Sequence, residues 1–81
     1  MNTPALNRFS DDDQRFTALT DRQQQVATLV CNGLSNKIIA RKLGLTEGTV
    51  KIHLYLIYKK LGVGSRTDLM IRFGTSQQVG V

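Results

Sequence analysis

Residues 35–60 read SNKIIARKLGLTEGTVKIHLYLIYKK, and the order of small, apolar and basic residues in this stretch decides the fold. Two short amphipathic segments flank a turn at Gly44. In the second segment Val50, Leu54, Ile57 and Leu61 recur at helical spacing and form one apolar stripe. Lys51, Ile52, Tyr55 and Lys59 fall within roughly 100° of arc beside that stripe, at 3.6 residues per turn. Such a helix can seat one side in a core and offer the other to a partner.

Two helices that cross steeply need three things: a small residue where they approach, a turn residue that accepts positive φ, and an apolar residue that locks the second helix. Ala40, Gly44 and Val50 supply them in order, with Ile39, Leu43 and Leu45 filling the space around them. A DNA-binding helix-turn-helix has the same requirement. The set as a whole, with capping residues before both helices and a basic outer face, is more specific than any member of it.

Working outward, Ser35 caps a helix over 36–43 and Thr46 caps one that runs to about Leu61. Upstream, Thr20 with Gln23 makes a capping-box pattern before a helix over 20–32, whose inward face is Val26, Leu29 and Val30. Gly33 and Gly44 are suited to closing helices. Downstream, Gly62 and Gly64 break the chain, and Ser65 with Asp68 opens a fourth helix to about Phe73. The spacing therefore predicts an all-α, small four-helix domain containing a helix-turn-helix, with room for an extra short N-terminal helix. Residues 1–18 form a polar leader, 19–73 the domain, and 74–81 a flexible tail. Within the leader, Ser10 before Asp11, Asp12 and Asp13 suits a helix start, which would let Phe9 and Phe16 dock; a solvated leader is the alternative.

The net charge is +5, and it is unevenly placed. Residues 36–66 hold seven basic residues against Glu47 alone. A basic body beside a mildly acidic leader suits a polyanion. A chain of 81 residues allows one domain with a modest core. It contains no run of roughly 20 apolar residues that could span a bilayer, and its N-terminus has no signal-peptide pattern, so the expectation is a cytoplasmic protein with no membrane partner. Cys31 is the single cysteine; it forms no intrachain disulfide, and it reads as a small buried hydrophobe on a helix.

The block LTDRQQQVATLVCNGLSNKIIARKLGLTEGTVKIHLYLIYKKLGVGSRTDLM resembles the LuxR/FixJ-type (GerE-like) effector domain of bacterial transcriptional regulators. The subsegments NGLSNK, IARKLGLTEGTVKIHL and KKLGVGSRT lie close to that pattern. The resemblance implies a four-helix domain whose third helix lies in the major groove of double-stranded DNA and whose fourth helix often mediates dimerisation. No cofactor is implied. This chain departs from the pattern at Ile38, where an acidic residue is favoured, at Leu56, which is usually polar, and at Gln23 and Gln25, which replace typical acidic residues.

Lys51, Ile52 and Tyr55 lie toward the N-terminal half of the third helix, where base edges are reached, and the matching positions in proteins of this kind contact bases. Lys51 can donate to guanine and Ile52 can touch a thymine methyl. Tyr55 can read a base, bond a phosphate, or set the helix tilt. Asn36, Lys37, Thr46, Thr49, Lys59, Lys60 and Arg66 are candidate phosphate contacts, because helix starts and cations suit anions. His53 reads as a phosphate contact or packing residue; no second ligand stands at metal-binding spacing, so no metal is expected. Leu56, Ile71 and Phe73 are the candidate dimer interface.

The leading expectation is a sequence-specific transcriptional regulator, or the effector domain of one. It would act as a dimer on repeated half-sites about 10 bp apart, with RNA polymerase or another regulator as a further partner. Both a complete small regulator and a C-terminal piece of a larger one fit. The alternative is a protein-interaction module that inhibits another regulator by mixed dimerisation. An enzyme is the least favoured class: paired carboxylates, a Ser–His–acid set and a phosphate-cradling Gly loop are all missing from the sequence.

Overall fold

The computed structural model describes residues 11–74. The chain runs through α1 (Asp11–Thr17), α2 (Asp21–Cys31), α3 (Asn36–Leu43), α4 (Glu47–Leu61) and α5 (Arg66–Leu69), and closes in a π turn over Met70–Gly74. No strand occurs among the described residues. The expectations for Phe9, for Ser10 as a cap and for the tail past residue 74 concern residues outside this range.

Local chemistry sets the helix starts. Thr20 Oγ1 accepts from the Gln23 N–H at 3.1 Å, and Gln23 Oε1 accepts from the Thr20 N–H at 3.0 Å, so α2 opens with a reciprocal capping box. At α3 the cap is one-sided. Ser35 Oγ accepts from the Ile38 N–H, and Ile38 has no acceptor with which to return the bond. Thr46 Oγ1 accepts from the Thr49 N–H to start α4, and Ser65 Oγ accepts from the Asp68 N–H to start α5. A side chain removed from such a cap costs about 1 kcal/mol. Gly44 (φ +69°) and Gly62 (φ +70°) close α3 and α4 in the left-handed region, where a Cβ is strained.

The stripe Val50, Leu54, Ile57, Leu61 is buried along its whole length, against Val26 and Val30 of α2 and Ile39 and Ala40 of α3 in one core. Leu29 and Leu43, expected to face inward, are half-buried at its margin. Burial of a Val, Leu or Ile side chain contributes about 1.5–3 kcal/mol, so this stripe is what fixes the rotation of α4 about its own axis. The same rotation fixes which side chains α4 presents outward.

The leader residues 11–17 are helical and dock. Phe16 stacks on Phe73 with ring centroids 6.0 Å apart. Arg15 Nη1 donates to the Leu61 carbonyl at the C-terminal end of α4 (3.3 Å), where the helix dipole favours a cation. Gln24 Nε2 ties the turn down by donating to the Phe16 and Leu19 carbonyls.

Three expectations for the C-terminal segment are corrected. The fourth helix is α-helical for one turn only and then widens into the π turn, so Leu69, Phe73 and Gly74 are all buried. Gly74, assigned to the tail from sequence, instead packs on Cys31, whose Sγ donates to the Leu69 carbonyl (3.9 Å). Phe73, expected at a dimer interface, is 5% exposed beneath Phe16 and belongs to the core.

Candidate nucleic-acid interface

With its apolar stripe buried, α4 projects Lys51, Ile52, Tyr55 and Lys59 into solvent. Ile52 is 61% and Tyr55 60% exposed, so neither contributes to the core and both are open to a partner. Lys51 has no side-chain partner among the described residues. One arc of one helix therefore offers a cation, an apolar branched side chain and a phenol, all within the reach of a groove about 12 Å wide.

The candidate phosphate contacts divide into four groups. Lys37 is exposed with no partner among the described residues. At the start of α4, Thr46 Oγ1 accepts the Thr49 N–H and shares a 3.0 Å hydrogen bond with Thr49 Oγ1. Two hydroxyls share one such bond, so one of their two protons remains available to an outside acceptor. Lys59 and Lys60 are each committed in part: Lys59 Nζ donates to Tyr55 Oη (3.4 Å) and Lys60 Nζ to Gln23 Oε1 (3.2 Å). Gln23 is itself buried and neutral, so the Lys60 charge is solvated by an amide dipole and not cancelled.

Asn36 and Arg66 are bonded to each other. Arg66 Nη1 donates to Asn36 Oδ1 at 2.6 Å, and Nη2 donates to the Leu34 carbonyl. The guanidinium thus bridges the entry of α3 and the entry of α5. It leaves the Asn36 amide N–H groups as the outward donors of that corner. The same cation bears on Tyr58, whose hydroxyl is pushed up by burial and partly lowered by Arg66. His53 is half-buried, and its Nδ1 is buried without a hydrogen-bond partner among the described residues. Any contact it makes outward goes through Nε2.

Leu56 (41% exposed) and Ile71 (63% exposed) remain on the surface. Sequence reasoning missed three features. The Arg66 bridge has partners thirty or more residues away and leaves no local signal. The docking of Arg15 on α4 is equally non-local. The Tyr55–Lys59 pair was detectable, since side chains four apart on a helix meet.

No group of three or more His, Cys, Asp or Glu side chains that could hold a metal occurs among the described residues. None of the helices described is long and apolar enough to cross a membrane.

The crossing of α3 and α4, the left-handed Gly44 between them and the outward basic arc define a helix-turn-helix domain of the kind found in transcriptional regulators. The family described as bacterial regulatory proteins, luxR family, matches residues 17–73, and the chain belongs to that family. Among curated proteins it is similar to the nitrate/nitrite response regulator protein NarL of Escherichia coli K12, with 42% identity over 53 residues, 65% of this chain and 24% of that protein. It is also similar to a putative HTH-type transcriptional regulator from Aeromonas salmonicida, with 47% identity over 55 residues, 68% of this chain and 28% of that protein. Among solved structures it is similar to the response regulator StyR, with TM-score 0.74 and 39% identity, covering 91% of this chain and 36% of that one. The chain spans roughly a quarter of the length of these curated relatives. DNA binding is supported at the level of the family.

Proposed function

We propose that this chain is a sequence-specific double-stranded DNA-binding regulator of transcription, or the effector domain of one, acting in the cytoplasm. In this reading α4 enters the major groove. Lys51, Ile52 and Tyr55 meet base edges. Lys37, Thr46, Thr49, Lys60 and the Asn36 amide meet phosphates on either side and set the register, while Arg66 holds Asn36 in place. One observation carries the reading: α4 buries Val50, Leu54, Ile57 and Leu61 while leaving Lys51, Ile52 and Tyr55 outside. Two copies would meet through the surface carrying Ile71, with Leu56 as a second candidate, and read repeated half-sites. RNA polymerase or another regulator is the further partner class.

Selection of bound duplexes from a random pool, followed by gel-shift titration of the winners against scrambled duplexes, tests the proposal. Enrichment of one sequence, with affinity at least tenfold above scrambled DNA (about 1.4 kcal/mol), supports it. A pool that returns unenriched, or binding that is the same for every duplex, would remove sequence-specific readout.

A further inference from the structure

Tyr55 and Lys59 stand one helical turn apart on the exposed side of α4. Lys59 Nζ is 3.4 Å from Tyr55 Oη and 5.2 Å from the ring centroid. The order of these distances locates the charge. An ammonium stacked on a phenol face is nearer the ring centre than the hydroxyl oxygen. Here it is nearer the oxygen, so it lies out beyond the ring edge and leaves both faces of the ring uncovered by it.

The direction of the bond follows from the inventory of the two groups. An ammonium only donates, whereas a phenol both donates and accepts. Nζ–H therefore donates to Oη, and the phenol's own proton is left over. No acceptor among the described residues takes that proton, and Tyr55 projects on the same arc as Lys51 and Ile52. The neighbouring positive charge polarises the O–H and strengthens it as a donor. In the major groove the acceptors are purine N7, guanine O6 and thymine O4, and the donors are the amino groups of cytosine and adenine. A phenol that already accepts from an ammonium and keeps its own proton to donate suits the first set better than the second.

We propose that Tyr55 reads one base-edge acceptor as a hydrogen-bond donor, and that Lys59 is the positioning residue that gives the hydroxyl this polarity. The proposal rests on the groove-reading function above and deepens it, by fixing the sign of one contact and assigning a phosphate candidate to base choice. Both side chains are exposed, so substitutions here leave the core untouched.

The test takes the preferred duplex from the selection and measures affinity for it and for every single-base-pair replacement, using the full chain and the variants Tyr55→Phe, Lys59→Met and Lys59→Arg. Tyr55→Phe and Lys59→Met should lose discrimination at the same base pair, each by about threefold to tenfold. Lys59→Arg, which keeps a donor for Oη, should retain it. If Lys59→Met instead weakens binding equally on all duplexes and lowers the salt slope by about one unit, with every base preference intact, Lys59 is a backbone contact and the proposal is overturned. Unchanged discrimination in Tyr55→Phe overturns it as well. A parent chain that prefers no duplex at all removes the groove-reading function and this inference together. A parent with clear preferences that the variants share removes only the inference.

Discussion

Replacing Arg66 by alanine separates two roles that the sequence alone leaves merged. As a phosphate contact, Arg66 would matter only to DNA. In the folded chain its guanidinium donates to Asn36 Oδ1 at 2.6 Å and to the Leu34 carbonyl, and it is half-buried. Hydrogen bonds to a charged group contribute about 1.5–3 kcal/mol each. Partial exposure lets water replace some of that, so the pair is taken at the low end, about 2–3 kcal/mol in all. Domains of this size have a total stability of about 3–10 kcal/mol. Arg66→Ala should therefore remove a large fraction of it and lower Tm by about 8–20 °C. Arg66→Lys, with one compact donor group in place of a planar fork, should recover less than half. Urea titration followed by far-ultraviolet circular dichroism gives the number directly. The reasoning fails if Arg66→Ala unfolds within about 0.5 kcal/mol of the parent while its DNA affinity falls with a reduced salt slope, for then the guanidinium serves phosphate and not the fold.

Lys51→Ala should cost about 1–3 kcal/mol on the preferred duplex and relax base choice at one position; equal loss on every sequence would count against direct readout by this side chain. Lys37→Ala should weaken binding on all duplexes alike and lower the slope of log affinity against log salt by about 0.9, and an unchanged slope takes Lys37 out of the phosphate set. Burial pushes the Cys31 thiol up from its ordinary value, so the native chain keeps that proton longer than the unfolded one. Its contribution to stability is fully present below the unfolded thiol pKa, about 8.5, and declines as pH rises through the raised folded value. Cys31→Ala should flatten that part of the stability–pH curve; a curve of the same slope would assign the alkaline loss to other groups, Tyr58 first among them.

The helices that carry the site were legible because their signals are local. Thr20, Ser35, Thr46 and Ser65 each cap the helix that follows, and the period of Val50, Leu54, Ile57 and Leu61 gives the buried side of α4 without reference to any other element. What escaped depends on contacts distant in sequence. An aromatic residue at the end of an amphipathic helix reads as an association surface until its cover is known, and the cover of Phe73 is Phe16, on a segment that could equally have been solvated. Arg66 at the first position of a helix looks like a surface cation, since nothing around it announces that Leu34 and Asn36 will face it. The π turn escaped for a different reason: α and π hydrogen-bonding differ by one residue of register, and the sequence from Met70 to Gly74 suits either until Gly74 meets Cys31.

The meeting of Arg15 with the end of α4 ties two parts of the molecule into one joint. A Cβ on Gly62 would stand 2.9 Å from Arg15 Nη1, and the Leu61 carbonyl already holds that guanidinium. The joint lies six residues past Tyr55, about 9 Å along the rod at 1.5 Å per residue. A displacement of α1 is therefore felt at the C-terminal end of α4 through the bond from Arg15 to the Leu61 carbonyl, beside its packing through Phe16.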